Sequence, residues 1–241
     1  MFKLNIFFIV SIYPLISMSP TLINYLVIRN VGQGQWVSHV TNTACDHFDF
    51  GGENYKLKTL KKKYLQDCSK KYNRLMLSHA DYDHYSFFKI ITKNSLGTCW
   101  LYKPSVLPFE IKISDYKFCK KTTEIKLIKV NLSAKNKNDQ SPIFKFNQLL
   151  LQGDASQSVE KKLFSKNFFD DSIKSMIVGH HGSRTSTSIE MLESLKSLKA
   201  AYVSARYAKY QHPHQETLAK FKQYHIPVLK TEDWGNIILL L

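Results

Sequence analysis

Histidine and aspartate side chains recur directly after short apolar segments, and this recurrence constrains the fold more than any other feature. The apolar segment 74–78 is followed by His79, which begins the sequence HADYDH. The segment 148–152 is followed, after one glycine, by Asp154, and the segment 175–179 is followed by two histidines. Short apolar runs of this kind are typical of buried β-strands. Because functional groups are commonly held where strands end on a rigid sheet, we expect these side chains to form one polar site.

The remaining pattern favours a layered α/β sandwich built from two β-rich halves with helices between them. Segments rich in β-branched and aromatic residues predict strands, and apolar residues at helical spacing predict helices. The predicted strands are 25–31, 36–41, a segment ending at Asp49, 74–78, 99–102, 124–130, 143–146, 148–152, 175–179, 201–205, 228–231 and 236–241, and the predicted helices are 54–72, 158–169, 187–199 and 215–224.

The composition indicates a folded, basic protein. The chain has 241 residues, of which 44% are hydrophobic, so it can bury a substantial core and is not intrinsically disordered. Lysine and arginine number 34 against 19 acidic residues, which gives a formal net charge of +15. An excess of this size favours an anionic partner or substrate, with nucleic acid first among them, although a solvated lysine-rich surface would give the same count.

The N-terminal segment predicts export. Residues 4–17 form an apolar run behind Lys3, too short for an ordinary membrane span and suited to a secretory signal peptide. We expect residues 1–19 to be a signal peptide or an N-terminal anchor and residues 20–241 to form one domain in the periplasm or outside the cell. No later segment is apolar enough to span a bilayer, and the sequence leaves the oligomeric state open.

The four cysteines leave two readings open. They are Cys45, Cys68, Cys99 and Cys119, and none forms a CxxC pair, which argues against a zinc knuckle. In an exported protein they would form two disulfides, whose connectivity the sequence does not give. The alternative is four buried free thiols.

The sequence HADYDH carries the strongest chemical signal. Four side chains that bind metals, His79, Asp81, Asp83 and His84, fall within six residues just after a buried strand. Imidazole and carboxylate together suit zinc, manganese or iron, and a set rich in carboxylates shifts the preference towards manganese. The sequence therefore predicts a divalent metal site at this position.

The order of these motifs resembles the metallo-β-lactamase superfamily, and more closely the metallo-β-lactamase-like domain of ComEC-type competence proteins, which take up DNA. The resemblance extends over residues 25–241. It rests on VGQG at 31–34, DFGG at 49–52, HADYDH at 79–84, GD at 153–154, HHGS at 180–183 and HP at 212–213.

This resemblance implies a four-layer αββα sandwich that binds one or two divalent metal ions, zinc or manganese, and activates water. It implies one metal site at Asp83, His84, Asp154 and His212, and another at His79, Asp81 and Asp154. Asp83 would act as the catalytic base, and His181 or His212 would stabilise developing charge. The resemblance assigns outer or substrate-binding roles to Asp49, His180, Ser183 and Arg184.

The sequence also departs from the family pattern. Superfamily members add a histidine upstream of the bridging aspartate, and residues 131–147 contain none. Asn30 and Gln35 replace the acids that flank the opening motif, and Gln211 replaces a glycine in the late motif. One firmly bound metal ion is therefore as well supported as two.

A metal-dependent phosphodiesterase or nuclease is the function best supported by these features. A hydrolase of small esters, lactones or β-lactams on the same fold is the first alternative. A DNA-binding or competence accessory protein without catalytic activity is the second. The lysines of the predicted helix 54–72 suit contact with phosphates, or equally a solvated face over an apolar stripe.

Overall fold

Two six-stranded sheets form the centre of the protein in the computed structural model, which describes residues 23–109, 111, 117–120, 125–129, 134–164 and 170–241. The strands are β1 (Asn24–Ile28), β2 (Val37–Thr41), β3 (Ala44–Phe48), β4 (Tyr72–Met76), β5 (Gly97–Tyr102), β6 (Ile125–Lys129), β7 (Ile143–Phe146), β8 (Leu149–Gln152), β9 (Ser175–Ile177), β10 (Ala200–Val203), β11 (Val228–Lys230) and β12 (Ile237–Leu240). The first sheet has the order β12-β1-β2-β3-β4-β5 and the second the order β11-β10-β9-β8-β7-β6.

Helices lie on the outer faces of both sheets and in the segments that connect the strands. They are α1 (Leu57–Cys68), α2 (Tyr82–Tyr85), α3 (Phe88–Asn94), α4 (Gln157–Phe164), α5 (Ile189–Ser194), α6 (Tyr207–Tyr210), α7 (Gln215–Gln223) and α8 (Thr231–Trp234). Helices α1 and α3 pack on the first sheet through Leu60, Tyr64 and Ile91. Helices α4, α5 and α7 pack on the second sheet in the same way, through Val159, Met191 and Phe221 among others.

A third apolar layer lies between the two sheets. It joins residues of the first sheet, such as Ile28 and Met76, to residues of the second, such as Phe146 and Ile177. Alternate residues of a strand point to opposite faces of its sheet, so each sheet contributes one face to this layer and the other to its helices. The order of layers is therefore helix, sheet, sheet, helix, and the predicted αββα sandwich is confirmed.

Parallel pairing brings the ends of the motif-bearing strands to one edge. Strands β3, β4 and β5 are parallel to one another in the first sheet. Strands β8, β9, β10 and β11 are parallel in the second, while the other neighbours pair antiparallel. The carboxyl ends of parallel strands lie at the same edge, so the segments that follow β4, β8 and β9 can meet there.

Helix lengths differ most from the sequence prediction. The predicted helix 54–72 is a 3-10 turn followed by α1, which ends at Cys68. Lys70 then has a φ of 61°, a left-handed conformation that cannot continue a helix. The predicted helix 187–199 is reduced to α5, and α3 is missed by the prediction. Helix α3 has seven residues, which is too short a segment for apolar periodicity to be distinctive.

All four cysteines form disulfides. Cys45 pairs with Cys68, which joins β3 to the end of α1, and Cys99 pairs with Cys119 next to the edge strand β5. The disulfide reading of the sequence is therefore supported over the reading with free thiols. The proposed signal or anchor segment 1–19 lies outside the described residues. Within the described part of the chain, no helix is both long and apolar enough to cross a membrane.

Candidate metal centre

Seven of the histidines and aspartates singled out in the sequence lie together at the edge where the parallel strands end. The segment after β4 brings in His79 and Asp81, and α2 carries Asp83 and His84. The segments after β8 and β9 contribute Asp154 and the histidine pair. The side chains brought together are His79, Asp81, Asp83, His84, Asp154, His180 and His181.

Asp154 occupies the middle of this cluster, and its two carboxylate oxygens face different neighbours. Oδ2 lies 3.7 Å from Nε2 of His79 and 3.5 Å from Nε2 of His180. Oδ1 lies 3.2 Å from Nε2 of His84 and 3.8 Å from Nε2 of His181. The carboxylate is thus placed to bridge two separate groups of ligand atoms.

We call these groups the first and second ligand sets. The first set is His79, Asp81 and His180, and its Nε2 of His79 lies 3.4 Å from Oδ2 of Asp81. The second set is Asp83, His84 and His181. Its Nε2 of His181 lies 3.3 Å from Oδ2 of Asp83 and 3.1 Å from Nε2 of His84.

The chemistry of these atoms fits divalent metal ions. Nε2 of His79 and Oδ1 of Asp154 are buried, and neither has a hydrogen-bond partner of acceptable geometry among the described residues. A buried polar atom without a partner is costly unless something else binds it. The ligand atoms of His79, His84 and Asp154, and those of Asp83, His84 and His181, lie within 4.8 Å of one another. Imidazole nitrogens and carboxylates are ordinary ligands of zinc and manganese.

Charge in the cluster also favours a cation. Burial opposes the charged form of His84, but the carboxylates of Asp154 and Asp49 outweigh it and raise its pKa well above the usual value. Burial likewise opposes the charge of Asp154, yet His84, His181 and His79 hold its pKa well below the usual value. Asp154 therefore stays ionised and holds protons on the imidazoles of His84 and His181. A divalent ion can replace those protons, since metal binding and protonation compete for the same nitrogens.

The same charges also shift the pKa values of Asp83 and His181. Burial raises the pKa of Asp83, but the hydrogen bond from His181 and the charge of His84 lower it below its usual range. Burial lowers the pKa of His181, and Asp154 and Asp83 more than compensate, so the net change is upward. Asp83 is therefore an anion whose side chain remains 30% exposed.

Asp49 and two serines fix the orientation of the His79 and His84 rings, on the side away from Asp154. Oδ2 of Asp49 lies 2.7 Å from Nδ1 of His84, and the carboxylate also accepts hydrogen bonds from the backbone and hydroxyl of Ser78. Ser141 lies 3.3 Å from Nδ1 of His79 and accepts a hydrogen bond from the backbone of Asp154. With Nδ1 engaged in this way, each imidazole presents Nε2 to the centre.

The sequence reasoning singled out Asp49 and missed both serines. Serine carries little signal by itself, because it is common at turns and caps throughout proteins. Only their positions mark them, one directly before His79 and the other in the segment leading to β7. Gly51 of the DFGG segment has a packing role, because a Cβ on this residue would lie 2.3 Å from the backbone of Asp83.

A strained turn presents the two adjacent histidines to different oxygens of Asp154. His180 and His181 have φ values of 48° and 53°, both in the left-handed region that non-glycine residues rarely adopt. The buried hydroxyl of Ser186 donates to the backbone oxygen of Gly179, and the backbone nitrogen of Ser183 donates to His180. Strain of this kind persists where the surroundings hold it, and it is common at functional sites.

Ser183 and Arg184 lie in different surroundings, one buried and the other exposed. The hydroxyl of Ser183 is buried in the turn and lies 3.0 Å from that of Thr185, which in turn contacts Nδ1 of His180 at 3.0 Å. Ser183 is thus placed to support His180. Arg184 is exposed, and its predicted contact with substrate stays a prediction.

His212 lies beside the cluster and outside both ligand sets. Its ring centroid is 6.0 Å from that of His180, and its Nδ1 lies 3.5 Å from Nε2 of Gln33. Burial and the nearby charges of His181, His180 and His214 lower its pKa to about 4. The position that the resemblance assigned to His212 is approached instead by His181. Binding of a metal ion by His212 stays a prediction.

The comparisons with known proteins agree with the motif resemblance. The chain is 33% identical over 90 residues to ComE operon protein 3 of Bacillus subtilis, a match that covers 36% of this chain and 11% of that protein. It is 31% identical over 91 residues to Recombination protein 2 of Haemophilus influenzae, covering 38% of this chain and 11% of that protein. No family model matches the chain.

A solved structure covers nearly all of the chain. It is the metallo-beta-lactamase fold protein YhfI from Bacillus subtilis, with a TM-score of 0.53 and 9% sequence identity. The match covers 90% of this chain and 99% of that one. Identity this low supports likeness of fold alone. Together with the two helix-covered sheets, it shows that the protein has the metallo-β-lactamase fold.

Proposed function

We propose that this protein is a metal-dependent phosphodiesterase that cleaves nucleic acid. The observation that carries the proposal is the bridging position of Asp154, whose two oxygens face the two ligand sets. The first set would hold one divalent ion and the second set another, with Asp154 shared between them. When bound, such ions lower the pKa of water and neutralise charge on a phosphoryl group.

Asp83 is the residue best placed to act as general base. Asp154 is enclosed by four imidazoles, whereas the carboxylate of Asp83 is partly exposed and lines a surface cavity. Its lowered pKa keeps it ionised at neutral pH. A proton taken from water at the mouth of the site would therefore go to an oxygen of Asp83.

His212 is placed to donate a hydrogen bond to a phosphate oxygen. The backbone nitrogen of Arg206 donates to Oε1 of Gln33, which turns Nε2 of that amide towards Nδ1 of His212. Nδ1 then accepts, so the proton of the neutral imidazole resides on Nε2. His212 would orient the phosphate, while His181, buried within the second ligand set, would hold an ion.

The charge of the protein supports an anionic polymer as substrate. The net charge is +15, and α1 exposes a cluster of lysines close in sequence to the DFGG segment. The two curated relatives carry the names of a ComE operon protein and a recombination protein, which is consistent with DNA as the substrate. The exposed lysines of α1 are Lys58, Lys61, Lys62 and Lys63.

Export to the periplasm or beyond remains part of the proposal. Two disulfides within one domain suit an oxidising compartment, where such bonds persist. This agrees with the signal segment predicted for residues 1–19. Fractionation of cells that express the full chain would test it, and a purely cytoplasmic, reduced protein would contradict it.

The test is hydrolysis assayed with manganese, zinc or magnesium. We expect cleavage of single- or double-stranded DNA and of bis(p-nitrophenyl) phosphate, abolished by chelators and by Asp154→Asn. Asp233→Asn is the matched control. It changes an exposed carboxylate that belongs to neither ligand set, and it should leave activity intact. Circular dichroism would confirm that both variants fold.

The same assay separates the alternatives. Hydrolysis of nitrocefin or a lactone without cleavage of phosphodiesters would establish the small-molecule hydrolase. Binding of DNA that persists in every metal, with no cleavage at all, would establish a non-catalytic accessory protein. Full activity of Asp154→Asn would contradict the proposed site.

A further inference from the structure

A surface cavity of about 340 Å³ opens directly beside the second ligand set. Asp83 lines this cavity and also contacts His181, and Gln33 lines it and contacts His212. The cavity is therefore continuous with the candidate metal centre. Its volume falls in the size range of small-molecule sites.

Three tyrosines contribute to the walls of this cavity. Tyr55, Tyr82 and Tyr210 all line it, and they are 60%, 52% and 56% exposed. Exposed tyrosines gathered around one cavity differ from scattered surface aromatics, because a flat ligand can contact the exposed part of more than one ring. We call these three residues the tyrosine wall.

The tyrosine wall is held in place by cations and polar groups. The guanidinium of Arg206 lies 5.4 Å from the ring centre of Tyr55 and is fixed by a bidentate pair with Glu53. The hydroxyl of Tyr82 donates to Oδ1 of Asn54 at 3.1 Å, and Asn54 also lines the cavity. Rings anchored in this way lose little conformational freedom when a ligand stacks on them.

The wall also offers groups that match a nucleotide. Lys209 lines the cavity and supplies positive charge for a phosphate. The amide nitrogen of Asn54 is a hydrogen-bond donor suited to the edge of a base. The ring of Tyr210 lies 5.9 Å from that of His212, so a base stacked there would leave its phosphate near the metal centre.

We infer that the tyrosine wall is a subsite for an unpaired nucleobase next to the phosphodiester that is cleaved. Every base has an aromatic face, so stacking is tolerant of sequence. A paired base has its faces covered by its neighbours in the duplex, so this subsite selects single strands or frayed ends. The inference rests on the proposed phosphodiesterase function and specifies its substrate.

Binding is tested first, in EDTA, so that hydrolysis does not contribute. Fluorescence anisotropy would compare an eight-residue oligothymidine with an abasic oligonucleotide of the same length and charge. We expect the oligothymidine to bind about tenfold more tightly, and Tyr55→Ala/Tyr210→Ala to remove the difference. Tyr55→Phe/Tyr210→Phe keeps the rings and should keep the preference. Tyr72→Ala, an equally exposed tyrosine at the opposite end of β4, is the control and should bind like the wild type.

Two esters with the same leaving group then test the subsite during hydrolysis. We expect thymidine 5′-p-nitrophenyl phosphate to have a KM about tenfold below that of methyl p-nitrophenyl phosphate. In the Tyr55→Ala/Tyr210→Ala variant, which we call the alanine pair, the two KM values should be equal. Equal binding of both oligonucleotides, or an unchanged preference in the alanine pair, would overturn the subsite. Failure to hydrolyse either ester while oligothymidine is still preferred would overturn the phosphodiesterase and leave the base-binding subsite standing.

Discussion

The carboxylate of Asp49 lies 2.7 Å from Nδ1 of His84, on the side of the imidazole away from Asp154. This contact places the Nδ1 proton between the two residues and leaves Nε2 to face the candidate metal centre. Asp49 sits at the end of β3 and has a positive φ, so the strand end itself aims the carboxylate.

Asp49→Asn should weaken metal binding while leaving the ligands in place. The amide cannot accept the proton of His84 with the strength of a carboxylate, and residues of this kind change metal affinity by about 10- to 100-fold. Isothermal titration with manganese or zinc measures the change. Asp233→Asn should bind like the wild type, and an equally tight Asp49→Asn protein would show that Asp49 has no influence on the ions.

The two ligand sets predict that each site can be lost separately. Asp81→Asn removes a carboxylate beside His79, and Asp83→Asn removes one beside His181. We expect two ions per wild-type chain, about one per chain in either variant, and none held firmly by Asp154→Asn. Elemental analysis after gel filtration gives these numbers. An Asp81→Asn protein that binds no metal, or that still binds two ions, would contradict the model of two ligand sets that share Asp154.

Burial of His47 should make stability fall in mild acid. Its Nδ1 accepts from the indole of Trp36 and its Nε2 faces Oδ1 of Asn73, and burial lowers its pKa to about 4. The unfolded chain takes up the proton first as the pH falls, because its histidine pKa is about 6.5. The contribution is therefore complete above that pH, and about 2 kcal/mol is lost by pH 5.

Urea unfolding at pH 7.5 and pH 5 measures this loss. His47→Gln cannot titrate, so its free energy of unfolding should change less between the two pH values, even if the variant is less stable overall. The histidines of the metal centre are the same in both proteins, so their contributions cancel in the comparison. Equal pH dependence of the two proteins would show that His47 is not the group responsible.

The disulfide between Cys45 and Cys68 should contribute strongly to stability. It closes a loop with a sequence separation of 23 residues, and both sulfurs are buried. Constraint of the unfolded chain by a loop of this length is worth about 3 kcal/mol. Cys45→Ala/Cys68→Ala should therefore lower the free energy of unfolding by about that amount, measured in urea without reductant. The wild type in dithiothreitol should lose stability too, and an unchanged Tm would argue against the crosslink.

Much of the fold was predictable because apolar strands with polar ends are a local signal. Strands β8 and β10 lie within two residues of their predicted bounds, since each is a short apolar run with clear limits. The missed helix α3 has a different cause. Its first residue, Phe88, packs against Phe50 and Trp100, and local periodicity does not register contacts with residues outside the helix.

The sequence predicted which residues belong to the candidate site better than it predicted how they are arranged. HADYDH and Asp154 were singled out by their order along the chain. The place of His180 and His181 beside opposite oxygens of Asp154 depends on two left-handed residues in succession, which sequence preferences disfavour. The same turn explains how Oδ2 of Asp154 has a histidine neighbour although residues 131–147 contain none.

The seven side chains of the metal centre come from both halves of the sequence. His79, Asp81, Asp83 and His84 follow a strand of the first sheet, whereas Asp154, His180 and His181 follow strands of the second. Any ion bound there would cross-link the two sheets, and neither half alone has a complete set of ligands. Ion concentration would then act on the folding equilibrium by mass action, with stability rising logarithmically as ions are added. The supply of the ion in its compartment would therefore affect the stability of the protein as well as its chemistry.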